Sequence, residues 1–113
     1  MQPNKPIIHQ VYFWLREPQS AEALEQLLLG LRTLAGIDVI RHMYISVPAD
    51  TEARDVVDSS YSVSELLFFD NEQDQKTYQD HPIHQQFVND YAHLWQKVIV
   101  YDSRSVYTMV NGE

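Results

Sequence analysis

At 113 residues the chain is long enough for one domain, which buries roughly two-thirds of the surface its unfolded form exposes and needs no disulfide or metal staple. Its 44% apolar and 21% charged residues are those of a packed globular protein, and the absence of cysteine excludes disulfides, thiolate metal sites and a cysteine nucleophile. A net charge of -8 opposes binding to a phosphate backbone, and no stretch approaches the roughly 18 apolar residues of a membrane span, so a cytoplasmic protein with no nucleic-acid or membrane partner is expected.

After an N-terminal tail, 1–6, the run IIHQVYFWL from Ile7 to Leu15 is rich in β-branched and aromatic residues and predicts a strand. Alternation puts His9, Val11, Phe13 and Leu15 on one face and Ile8, Gln10, Tyr12 and Trp14 on the other. Both faces are therefore substantially apolar. Leu24, Leu27, Leu28, Leu31 and Leu34 then repeat at helical spacing, with Ser20 suited to cap the start and Gly36 the end. Gly30 costs about 1 kcal/mol relative to Ala inside this helix and suggests close packing against a sheet.

A second strand is predicted at Val39 to Val47, followed by an acidic loop to about Ser60 and a third strand through YSVSELLFF to Phe69. Asp50, Glu52, Asp55, Asp58, Glu65, Asp70, Glu72 and Asp74 face a single base, Arg54, across 50–74; with no EF-hand spacing, this run reads as a solvated loop and helix start. Asp70 or Asn71 can cap a second helical region that breaks before Pro82 and runs to about His93. WQKVIVYD supplies a fourth strand ending near Asp102. The order β-α-β-β-α-β predicts an α+β, ferredoxin-like fold over 7–104, an antiparallel four-stranded sheet with its helices on one face. Residues 105–113 form a C-terminal tail, frayed or paired across a subunit boundary.

The segment TYQDHPIHQQF carries the chemistry. Pro82 suits the first helical position, which puts His84 in the first turn and on the stripe continued by Phe87, Val88 and Tyr91. His93, about 180° round the helix from His84, should face water. An inward imidazole is most often a hydrogen-bonded structural residue. Here Tyr78 precedes His84 on nearly the same side, and His9 sits on an otherwise apolar strand face. Together they would supply donors, acceptors and a proton carrier to one apolar hollow, the usual form of a small-molecule site. The helix N-terminus and burial both disfavour a charged His84, so it is expected to be a neutral base beside the Tyr78 hydroxyl. His81 and His84 could share a metal, but no third ligand stands out and no metal is expected.

The chain resembles the stress-responsive α/β-barrel (Dabb) family over nearly its whole length, from IIHQVYF through LLFFDNEQDQKTYQDHPIHQQF to VIVYD, most specifically in Tyr78, His81, Pro82 and His84. The resemblance implies a homodimer in which two sheets close into a barrel, covering Ile8, Tyr12 and Trp14. Most members have no established activity. The family includes a plant polyketide cyclase, olivetolic acid cyclase, which closes a linear tetraketide by an aldol condensation without a cofactor. Its tyrosine–histidine pair matches Tyr78 and His84 and its first-strand histidine matches His9, whereas a further pocket histidine is replaced here by Val63. His84 and Tyr78 are thus expected as catalytic residues and His9, Val11, Val63, His81, Phe87 and Val88 as ligand contacts, with no cofactor. The expected ligand is a small organic carbonyl or aromatic compound. Function is expected to be ligand binding by a homodimer, with acid–base cyclisation, or a purely structural role in stress, as the alternatives.

Overall fold

The computed structural model describes residues 5–112, in the order β1 (Ile7–Leu15), α1 (Ala21–Arg32), β2 (His42–Ser46), β3 (Val63–Phe69), α2 (Glu72–Asp80), α3 (Pro82–Tyr91) and β4 (Trp95–Arg104). The sheet runs β2-β3-β1-β4 with every neighbouring pair antiparallel, which is the ferredoxin-like arrangement. β1 is central, and its alternation is complete: Ile7, His9, Val11, Phe13 and Leu15 are buried, and the residues between them are half-buried.

Local signals explain most boundaries. The Ser20 side chain accepts the Ala23 amide at 3.0 Å and starts α1. The α-helix ends at Arg32 and tightens into a 3-10 turn over Thr33–Gly36, so Gly36 closes the turn and not the helix proper. Asn71, of the two candidate caps, starts α2 by accepting the Asp74 amide at 2.8 Å. Pro82 takes the first helical position of α3, where its missing N–H costs no hydrogen bond. β2 is shorter than expected because Val39 and Ile40 are spent on a turn packed against the core. β4 runs two residues past Asp102, where Arg104 pairs with Ile7.

The apolar core lies between the sheet and the helices. Leu27, Leu31, Leu34, Ile37, Val63, Leu67 and Phe69 are sealed from solvent. Gly30 marks a close approach, but to a helix and not to the sheet: a Cβ there would stand 2.6 Å from the Tyr91 ring of α3. On the opposite, helix-free face stand Tyr12 and Trp14 of β1, Leu66 and Phe68 of β3, Tyr44 of β2, and Ile99 and Tyr101 of β4. No helix among the described residues is long and apolar enough to cross a membrane.

Candidate functional site

One cavity of about 140 Å³ opens under α2 and α3, against β1, β3 and β4. Its walls bring together His9, Val11, Tyr78, His84, Phe87 and Val88, with Phe13, Glu65, Gln79, Trp95, Val98 and Val100. Val88, Val98 and Val100 are 37%, 37% and 47% exposed and form an apolar mouth between α3 and the edge strand. The space matches the roughly 150 Å³ of an engineered apolar cavity that holds benzene.

Tyr78 sits at the centre of the polar cluster. It is buried, its ring meets that of His84 edge-on at 4.8 Å between centroids, and it meets His9 at 5.7 Å. This follows from the interrupted helix. α2 ends at Asp80, His81 adopts an extended conformation, and α3 restarts at Pro82, so the two histidine-bearing and tyrosine-bearing turns converge on one space. Burial holds His84 below the ordinary imidazole range, and the charge of His9 acts in the same direction. A neutral base at pH 7 results.

His9 is fixed from the far edge of the sheet. It stands directly opposite Asp102 in the β1–β4 register, with its Nδ1 2.6 Å from Asp102 Oδ1. A carboxylate only accepts, so Nδ1 carries the proton of this hydrogen bond. The Gln75 amide lies 3.2 Å from the same Nδ1.

Glu65 was the member that sequence reading passed over. Counted among the acids of 50–74 it reads as solvated, yet it is 2% exposed. It sits on β3 between Val11 of β1 and Ile45 of β2, and Val63, Leu67 and Phe69 share its face. The signal was present in the sequence as strict alternation from Val63: a carboxyl at every second apolar position must point inward. Burial pushes the Glu65 carboxyl up to about 8, with a hydrogen bond from the Tyr78 hydroxyl opposing it. The same pairing holds Tyr78 well above the ordinary phenol range, burial being the larger cause. Glu65 and Tyr78 are therefore both protonated at neutral pH.

The remaining site candidates lie elsewhere. His81 is the N-cap of α3, its Nδ1 accepting the Ile83 amide at 3.1 Å, and it does not reach the cavity wall. An imidazole spent on a cap is a poor metal ligand, and no three His, Asp or Glu side chains among the described residues cluster closely enough to hold a metal ion. Val63 is sealed in the core beside its strand partner Phe13 and is not on the wall. His93 is exposed.

A four-stranded antiparallel sheet with its helices on one face and a polar cluster in the interlayer space defines a ferredoxin-like α+β domain with a cavity between its layers. Residues 7–105 match the Stress responsive A/B Barrel Domain, and the chain belongs to this Dabb family. Among solved structures it is similar to a Dabb family protein with a ferredoxin-like fold from Mesorhizobium loti, at 21% identity and a TM-score of 0.70, covering 95% of this chain and 99% of that one. It is similar to a dimeric ferredoxin-like protein of unknown function from Thermobifida fusca, at 19% identity and a TM-score of 0.71, covering 91% and 93% of the two chains. A hydroxynitrile lyase from Passiflora edulis shares the fold at 15% identity and a TM-score of 0.77, covering 96% of this chain and all (100%) of that one. No curated protein sequence matches.

Proposed function

We propose that this protein is a two-fold dimer, joined through its helix-free sheet face, that binds one small uncharged carbonyl or aromatic compound under α3 of each protomer. The observation that carries the binding reading is the convergence of His9, Glu65, Tyr78 and His84 on one apolar-walled cavity with an apolar mouth. Placing four polar side chains in an interior position is costly unless they meet a partner. The aromatic and aliphatic residues on the open face supply the dimer surface, and an isologous contact would cover it on both copies at once. The dimeric neighbour from Thermobifida fusca supports this assembly.

Two experiments test the reading. Light scattering at micromolar concentration should give twice the mass of the chain; a monomer with Tyr44 and Tyr101 exposed would end the dimer proposal. Titration with a panel of small neutral aromatic and carbonyl compounds should move the Trp95 indole and His84 imidazole NMR signals together, and Val88→Trp, which plugs the mouth, should abolish the shifts. Shifts scattered over the surface, or none, would reject the cavity as the site.

A second reading, acid–base turnover, is favoured by the neutral His84 beside a protonated Tyr78. His84 would remove a proton next to a carbonyl while Tyr78 and Glu65 support the developing oxyanion. A cavity of about 140 Å³ takes a single ring or one end of a poly-β-keto chain. That a protein of the same fold is a hydroxynitrile lyase supports an enzymatic reading. With poly-β-keto and related carbonyl substrates, His84→Ala should lose about 10² to 10⁴ in rate. Tyr78→Phe should lose less. Equal rates in all three proteins would remove His84 from the mechanism.

A further inference from the structure

Glu65 has one feature that the cluster around it does not explain. Its Oε2 is buried without a hydrogen-bond partner, although the residue lies on the cavity wall. Such an atom is costly: an unsatisfied buried polar group forfeits the hydrogen bonds it made to water. None of the groups packed around it bonds to Oε2. β1 brings Val11 and His9, whose Nδ1 is taken by Asp102. β2 brings Ile45. α2 brings Tyr78, α3 brings His84, and β4 brings only Trp95, Val98 and Val100 to the cavity. No Lys or Arg lines it.

We propose that Glu65 is the recognition residue of this cavity, with Oε2 carrying a proton that it donates to the carbonyl oxygen of a small neutral ketone or aldehyde. The inference rests on the reading of the cavity as a ligand site. Chemistry narrows the ligand in two ways. A carboxylic acid with one oxygen bonded to Tyr78 has a single O–H left to give, so it is satisfied by an acceptor and not by a hydrocarbon. An anionic ligand would bring a charge into an enclosure with no Lys or Arg to pair with it, so carboxylate analogues should be rejected. His84 and the phenol ring then bound the remaining surface, and the apolar mouth admits the ligand. The unpartnered Oε2 makes an acceptor, and not simply an apolar body, the better occupant.

The test uses the whole chain and three probes of one shape: cyclohexanone, methylenecyclohexane, which lacks the acceptor, and cyclohexanecarboxylate. Wild type should bind the ketone about 3- to 10-fold more tightly than the alkene, the worth of one hydrogen bond. It should bind the carboxylate more weakly than either. The ¹³C carbonyl signal of labelled cyclohexanone should move downfield on binding. Glu65→Leu should bind ketone and alkene alike and leave the carbonyl signal near its free value. Glu65→Gln keeps an N–H donor, so it should retain the preference at every pH, whereas wild type should lose it as pH rises through about 8. A ketone preference that survives in Glu65→Leu, or equal binding of the two neutral probes to wild type, would overturn the role of Glu65 while leaving the cavity as a site. Absence of binding by any probe would overturn the cavity reading and this inference with it.

Discussion

The space between sheet and helices divides into two unlike halves. Under α1, Leu27, Leu31, Leu34, Ile37 and Leu67 fill it with buried side chains that carry no polar atom. Under α2 and α3 the same sheet presents His9 and Glu65, the helices answer with Tyr78 and His84, and a cavity remains. The two halves share β1 and β3, so the backbone frame is common to both. The difference teaches that packing and polarity are separated along the helix layer: apolar side chains fill the space under α1, and the interrupted α2–α3 unit leaves a cavity with one unpaired buried oxygen on its wall.

That division can be broken most sharply at α1. Leu31→Ala removes a side chain with no exposure and should cost about 2–5 kcal/mol, read as a drop in the urea midpoint at unchanged slope. A loss under 1 kcal/mol would mean that the α1 half is not the stabilising one. Gly30→Ala tests the seam between the halves. The new Cβ would lie 2.6 Å from the Tyr91 ring, so α1 and α3 must part, and about 1–3 kcal/mol should be lost in spite of the better helix propensity of Ala.

The cavity half should show its character in pH dependence before it shows it in magnitude. The folded protein holds the Glu65 proton up to about 8, whereas the unfolded chain releases it in the ordinary carboxyl range. Between those limits the folded state binds more protons, so Glu65 makes stability fall as pH rises across that window. His84, held low, works the other way. The unfolded chain protonates first, and stability is lost as pH falls through the ordinary imidazole range. Urea unfolding of wild type and Glu65→Gln between about pH 5 and 9 separates the two contributions. The variant should lose the decline that runs from the ordinary carboxyl range up to about pH 8 and keep the loss on acidification that His84 brings. An unchanged decline across that window would show that Glu65 ionises normally. Val88→Ala, on the exposed mouth, should change stability by no more than about 0.5 kcal/mol while weakening ligand binding.

Much of this architecture was legible in the chain because its signals are local. The period-2 run of β1, the leucine spacing of α1 and the Pro82 restart of α3 each depend on residues a few positions apart. The site was legible in part for the same reason: Tyr78 and His84 are joined by a short interruption whose geometry Pro82 dictates. His81 was not, because whether an imidazole caps a helix or faces a pocket depends on one side-chain torsion. Glu65 was misread with its acidic neighbours although the alternation of β3 pointed it inward. Composition averages over a segment, and burial is decided residue by residue.

By itself, then, the sequence determined the elements, their order and the inward face of each strand, since these follow from steric preferences and hydrophobic periodicity that act within a few residues. Only the tertiary structure decided that Asp102 holds His9 from 93 positions away, that Gly30 lets α1 approach Tyr91, and that Glu65 faces Tyr78 with an oxygen left over. Those facts depend on strand register and helix docking. Both are settled by the packing of the whole core, where a shift of one residue in β3 would have sent Glu65 to the opposite face.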